Sequence, residues 1–245
     1  NYLVSINDSI PVTAGLVLHL DAAQGVTAAL SNTITTWADV SGNGKNFSAV
    51  GEPDWGAVLT PTGIKAVHFD GINDRLQRTA SLTGFPTGNT DRTLFLVARY
   101  NSATASGGFA YGTDNLNQAF ALSAKNPGGQ LVLGGYGSAN DLVSTTPGMG
   151  AGWLVQSGLL SAGVGTLFKD GTQIGQFAHT YNTVLSKMVL GADLGNAGFV
   201  GMDVAAVLLY NRVLSEGERA DVNTYLRSKY LVDTTPPTLA LPSNI

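Results

Sequence analysis

The feature that most constrains this chain is its rhythm: short runs alternating apolar and polar residues, separated by clusters of Gly, Asn, Asp, Ser and Pro. Stretches 16–21, 66–69, 93–100, 120–123, 131–133, 154–160 and 204–210 read as strands, since a period of two sends successive side chains to opposite faces. Between 166 and 177 two apolar runs flank Lys169-Asp-Gly171, and Asp-Gly supplies the positive φ that a tight hairpin turn needs. One helix stands out over 216–229: Ser215 and Glu218 form a capping box, and Val222, Tyr225 and Leu226 recur on one face. Many short strands and one late helix predict an all-β fold, a two-sheet antiparallel jelly-roll sandwich with one short helix on the C-terminal side.

With 245 residues and 44% apolar content the chain can fill one large core, and no break in composition falls between Gly15 and Tyr230. We therefore read 15–232 as one domain, 1–14 as an N-terminal extension and 233–245 as a Pro-rich linker to a following module, because Asp233-Thr-Thr-Pro-Pro-Thr238 favours stiff extended backbone. A chain that begins with Asn1 and shows no signal sequence reads as a processed product or an excised segment. Only 12% of residues are charged and 31 are glycine, the composition of a turn-rich β protein. The net charge of −4 and scattered basic residues argue against nucleic acid as a partner. Apolar runs such as 204–210 fall far short of the roughly 20 residues that span a bilayer as a helix. Without cysteine the chain has no disulfide or thiolate metal site.

Several segments in order resemble a known family. They are the strand Leu16-Val-Leu-His-Leu-Asp-Ala22, the loop Trp37-Ala-Asp-Val-Ser-Gly-Asn-Gly44, the turn Phe69-Asp-Gly-Ile-Asn-Asp-Arg-Leu76 and the strand Thr93-Leu-Phe-Leu-Val-Ala-Arg99. The Asp170-Gly171 hairpin and the closing strand and helix, from Val204 through Ser215-Glu-Gly-Glu-Arg219 to Tyr230, complete the set. Together they resemble the laminin G-like domains of the concanavalin A-like lectin and glucanase superfamily, as found in bacterial multi-domain surface proteins. The resemblance implies two antiparallel sheets, a glycan site on a concave face or loop rim in the carbohydrate-binding members, calcium in many members, and secretion or cell-surface display. It does not imply one function, since this fold hosts lectins, glycosidases, lyases and spacers.

Catalytic constellations are missing. The superfamily's glucanases carry Glu-x-Asp-x-x-Glu on one strand, whereas the glutamates here are Glu52, Glu216 and Glu218. His19, His68 and His179 have no zinc-binding spacing, there is no Gly-x-Ser-x-Gly elbow, and Gly148-Met-Gly-Ala-Gly152 lacks the context of a phosphate loop. Two loops offer alternating oxygen ligands for calcium: Asp39, Ser41 and Asn43, and Asp70, Asn73 and Asp74. The competing account, which we favour, is that these residues cap tight turns through their own backbone.

Glycan binding needs an aromatic ring beside amides or carboxylates. Tyr111 with Asp114, Asn115, Asn117 and Gln118, and Tyr136 with Ser138, Asn140 and Asp141, offer this in loops flanking 120–123 and 131–133; Trp55 is a third candidate, read as a loop residue. Trp37 and Trp153 read as core. The leading expectation is a non-catalytic carbohydrate-binding module of an exported multi-domain protein, with a poly- or oligosaccharide as partner. A structural or adhesive spacer and a polysaccharide-active lyase or glycosidase are the alternatives.

Overall fold

The computed structural model describes residues 9–103 and 106–232; residues 1–8 and the linker read over 233–245 lie outside the described residues. In chain order the strands are β1 (Leu16–Asp21), β2 (Val26–Ala28), β3 (Ile34–Trp37), β4 (Phe47–Val50), β5 (Asp54–Leu59), β6 (Lys65–Asp70), β7 (Arg75–Arg78), β8 (Arg92–Ala103) and β9 (Gly107–Gly112). There follow β10 (Ala119–Ala124), β11 (Gln130–Gly134), β12 (Leu142–Pro147), β13 (Leu154–Ser161), β14 (Val164–Lys169), β15 (Thr172–Ala178), β16 (Lys187–Ala192), β17 (Val200–Tyr210) and the helix α1 (Glu216–Tyr230).

They form the two antiparallel sheets of a sandwich, as the alternation predicts. One sheet runs β15-β14-β13-β8-β17-β6-β5; β17 pairs with β8 along one flank and shares the other between β6 and β1. The second runs β12-β11-β10-β9-β16-β7-β4-β3-β2. The hairpin turn between β14 and β15 has positive φ at both Asp170 (52°) and Gly171 (87°), the geometry that Asp-Gly favours.

Alternation along β8 shows how the core is divided. Leu94, Leu96, Ala98 and Tyr100 point between the sheets and meet Phe109, Phe120, Leu122 and Leu133 from the opposite sheet. Phe95 and Val97 point the other way and, with Val155, Leu208 and Tyr210, receive Val222, Leu226 and Tyr230 of α1. Strands β8 and β17 are therefore buried on both faces, which is why they read as nearly continuous apolar runs. Ile10 and Val12, within the stretch read as an extension, pack on this second cluster, and the Tyr210 hydroxyl donates to the Val12 carbonyl at 2.9 Å.

The helix starts where the capping box predicts. Glu218 N–H donates to Ser215 Oγ at 3.2 Å, Ser215 N–H donates to Glu218 Oε2 at 2.9 Å, and Arg212 pairs with the same carboxylate at 2.6 Å. Its far end is held by charge: Lys229 Nζ and Tyr230 Oη donate to Asp21 of β1 at 2.9 and 2.7 Å, all three residues being buried. With α1 over the outer face of the eight-stranded sheet, the outer face of the nine-stranded sheet is where a surface depression forms.

Candidate functional site

On β9 and β10 large and small residues alternate, and on β11 Val132 and Gly134 share the outward face. Phe109, Tyr111, Phe120, Leu122, Leu131 and Leu133 fill the core, so Gly108, Ala110, Ala119, Ala121, Ser123 and Gly134 lie on the outer face. Lacking long side chains, that face sinks into a groove of about 300 Å³, at the lower end of the range of small-molecule sites. The glycines are sterically required: a Cβ at Gly108 would lie 2.3 Å from the Leu122 carbonyl oxygen, and one at Gly112 would lie 2.3 Å from that of Gln118.

Two connections wall the groove. Between β11 and β12 the chain takes positive φ at Tyr136 (71°) and Gly137 (96°) and makes one 3-10 turn, Ser138–Asn140, while Asp141 Oδ1 accepts from Gly135 N–H at 3.0 Å. Between β16 and β17, Asp193 Oδ1 accepts from Ala197 N–H at 3.0 Å. The partly exposed Tyr136 packs against the buried cluster of Ala110, Ala119, Val189, Ala192 and Leu194. Its hydroxyl converges with Asp193: a Cβ at Gly195 would be 3.3 Å from Tyr136 Oη and 3.4 Å from Asp193 Oδ1. Lys125, Ser106, Ser123 and Ser138 complete the polar lining.

Burial raises the Asp141 carboxyl above the usual carboxylate range, against the pull of the Gly135 N–H and Lys125. Burial likewise raises the Tyr136 phenol, reinforced by the negative charges of Asp193 and Asp114. The site can thus accept hydrogen bonds from hydroxyl or amino groups along one wall while its flat floor takes an apolar face.

The structure brings the two predicted loops together, since Asn117 N–H donates to the Tyr136 carbonyl at 3.0 Å. It corrects the part given to Tyr111, which lies in β9, not in a loop; it is fully buried and its hydroxyl accepts from Arg92 Nη1 at 2.9 Å. Most of the amides build the loops themselves. Asn117 donates to the Thr180 carbonyl and bonds His179 Nε2, Gln118 Oε1 accepts from Thr113 Oγ1, and Asn140 donates to the Tyr136 carbonyl. Asp114 and Asn115 are exposed at the loop tip. Trp55, also read as a loop residue, belongs to the edge strand β5, donates from Nε1 to the Ala22 carbonyl and carries Lys65 Nζ 4.4 Å above its ring. Trp37 is fully buried, whereas Trp153 is half-buried beneath Arg99.

The residues considered for calcium hold their turns. Asp39 accepts from the N–H groups of His19, Ser41 and Lys45, and Asn43 Nδ2 donates to the Leu16 carbonyl. Asp70 accepts from Ile72 and Asn73, and Asp74 from Glu52 and Asp70. Among the described residues no three His, Asp or Glu side chains gather as an ion site.

Lys125, Ser123, Asp193 and the small-residue floor escaped the sequence reading. The available signal was the large-small alternation over 108–112 and 119–123. A larger cavity, about 540 Å³, lies between α1 and the β14-β15 turn, but Arg219 covers its Phe168 ring at 4.9 Å and leaves no open aromatic face.

The fold and groove define a two-sheet β-sandwich with a surface depression on one sheet. No family model matches the chain, and no curated protein matches it in sequence. Solved structures do. The binding domain of Paraclostridial Mosquitocidal Protein 1 superposes with a TM-score of 0.61 at 16% identity, covering 88% of this chain and 52% of that one. Trypanosoma rangeli sialidase gives 0.59 at 18%, covering 90% and 34%. Domain 4 of AbnA, a GH43 extracellular arabinanase from Geobacillus stearothermophilus, in complex with arabinotriose, gives 0.59 at 16%, covering 86% and 98%. The chain thus spans about half of the first and a third of the second, and at these identities the likeness is one of fold.

Proposed function

We propose that this domain is a non-catalytic carbohydrate-binding module, of laminin G-like type, from an exported multi-domain protein. The observation that carries the reading is the groove itself: a floor of Gly and Ala flat enough for a sugar ring, a partly exposed tyrosine at its side, and carboxylates placed to accept from hydroxyls. A solved domain of similar fold bound to arabinotriose supports the choice of ligand type. The setting within a larger protein would let weak binding act through effective concentration.

Calorimetric titration with oligosaccharides selected on a glycan array tests this. Tyr136→Ala is expected to weaken binding about tenfold, the equivalent of roughly 1.4 kcal/mol, with little change in thermal stability. Unchanged affinity would remove Tyr136 from the site, and silence across a broad array would favour the spacer reading. The enzymatic alternative draws on one observation, the raised carboxyl of Asp141 within a groove. Release of new reducing ends that Asp141→Asn abolishes would establish it.

A further inference from the structure

Resting on that reading of the groove, we propose that its ligand is a glycan with free amino groups, a hexosamine polymer lacking some or all of its N-acetyl groups. The argument starts from charge. Asp141 and Asp193 line the groove against one cation, Lys125, and Asp114, 4.0 Å from Lys187 Nζ, is near enough to act on the Tyr136 phenol. A concave surface with an excess of one sign above an apolar floor concentrates ligands of the opposite sign.

Hydrogen-bonding capacity points the same way. Ionised carboxylates only accept, whereas an ammonium brings three N–H donors and no acceptor. Tyr136 Oη and Asp193 Oδ1 lie 3.3 and 3.4 Å from the point where a Cβ at Gly195 would sit, which puts two oxygen acceptors at one end of the groove. The partly exposed ring of Tyr136 adds a face on which a cation is favoured. A uronic or sulfated sugar would instead bring further acceptors and like charge, so the same wall rejects it. The raised Asp141 carboxyl and Tyr136 phenol fit this picture, since a bound ammonium relieves both.

The test is calorimetric titration of the whole chain at about pH 5.5, where amines are protonated and most carboxylates ionised. Three oligosaccharides of equal length serve as probes: a glucosamine oligomer, its N-acetylated counterpart and an oligogalacturonate. We expect the amino form to bind at least about fivefold tighter than the acetylated one, the size of one partly exposed ion pair, with the gap closing as salt is raised. Asp193→Asn, which keeps an acceptor for Ala197 N–H, is expected to erase the preference, bringing the amino and acetylated oligomers to equal affinity. Lys125→Gln is expected to widen it. Equal binding of the amino and acetylated forms, or tighter binding of the galacturonate, each lost in Tyr136→Ala, would overturn the inference and leave the groove standing as a glycan site. No Tyr136-dependent binding of any probe would overturn the site and the inference together.

Discussion

Arg92 is fully buried, and each of its five N–H groups meets a neutral oxygen. Nε donates to the Thr90 carbonyl, Nη1 to the hydroxyls of Tyr111 and Thr183, and Nη2 to the carbonyls of Thr87 and Gly88. The guanidinium also lies 4.9 Å from the centre of the Phe120 ring. Tyr111 is one of the acceptors that make this cation tolerable, and burial pushes its phenol up to about 12, with Arg92 pulling the other way. Tyr111→Phe should orphan one N–H of a buried charge and cost about 2 kcal/mol, a fall of roughly 4–8 °C in melting temperature for a chain of this size. Glycan affinity should not change. Lost affinity at unchanged stability would return Tyr111 to the binding surface.

At the scale of elements, the strand of Leu16–Asp21 was read residue for residue and the helix to within one residue. Their signals are local: alternation that ends at turn formers, and a capping box that defines its own first turn. Strand β9 was missed because Gly107-Gly-Phe-Ala-Tyr-Gly112 has the composition of a loop, which masks the alternation over 108–112; its glycines serve the close approach of β10, a tertiary demand. The groove was half legible for the same reason. Its polar rim, Tyr136 and Asp141, sits in a loop with visible chemistry, whereas its floor exists only once four strands align.

The helix also carries a testable charge. Burial opposes ionisation of Asp21, but hydrogen bonds from Tyr230 and Lys229 outweigh it and hold the carboxyl below the usual range; Glu218, bonded by Arg212 and by Ser215 N–H, is held at about 2. Both folded values lie below the unfolded one, so their stabilisation is present above about pH 4 and is lost as the pH falls through the folded values. Asp74 and Asp141, raised mainly by burial, act with the opposite sign and favour the folded state as they protonate. Lys229→Met leaves Asp21 buried without its cation and should cost about 3 kcal/mol at neutral pH, while Asp21→Asn combined with Lys229→Met should regain part of that loss. Urea unfolding of both variants at pH 7 and pH 3 measures this. A single variant as stable as the parent would show that the ion pair does not hold α1 in place.

For the whole molecule, the two outer faces of the sandwich have unlike fates: one is sealed by α1, the other is open as the groove, and the core must couple them. Gln156 of β13 supplies a direct link. Fully buried, it accepts from Tyr100 Oη at 2.7 Å, and its Nε2 crosses to the opposite sheet, donating to the carbonyls of Ser123 and Val132 at 3.2 and 3.0 Å. Those two residues line the groove on the far side of their strands, so a side chain that no ligand can touch braces the surface on which the ligand would lie. Gln156→Leu preserves size but strands a buried hydroxyl and takes a second donor from two ladder carbonyls, a cost of about 3 kcal/mol. Tyr100→Phe, which strands only one amide oxygen, should cost about 1 kcal/mol. Hydrogen exchange should then locate the effect. In Gln156→Leu the amides of β10 and β11 are expected to lose protection more than those of β13 and β14, and glycan affinity should fall with them. Uniform loss of protection across both sheets would mean that Gln156 supports the sandwich as a whole, not the floor of its groove.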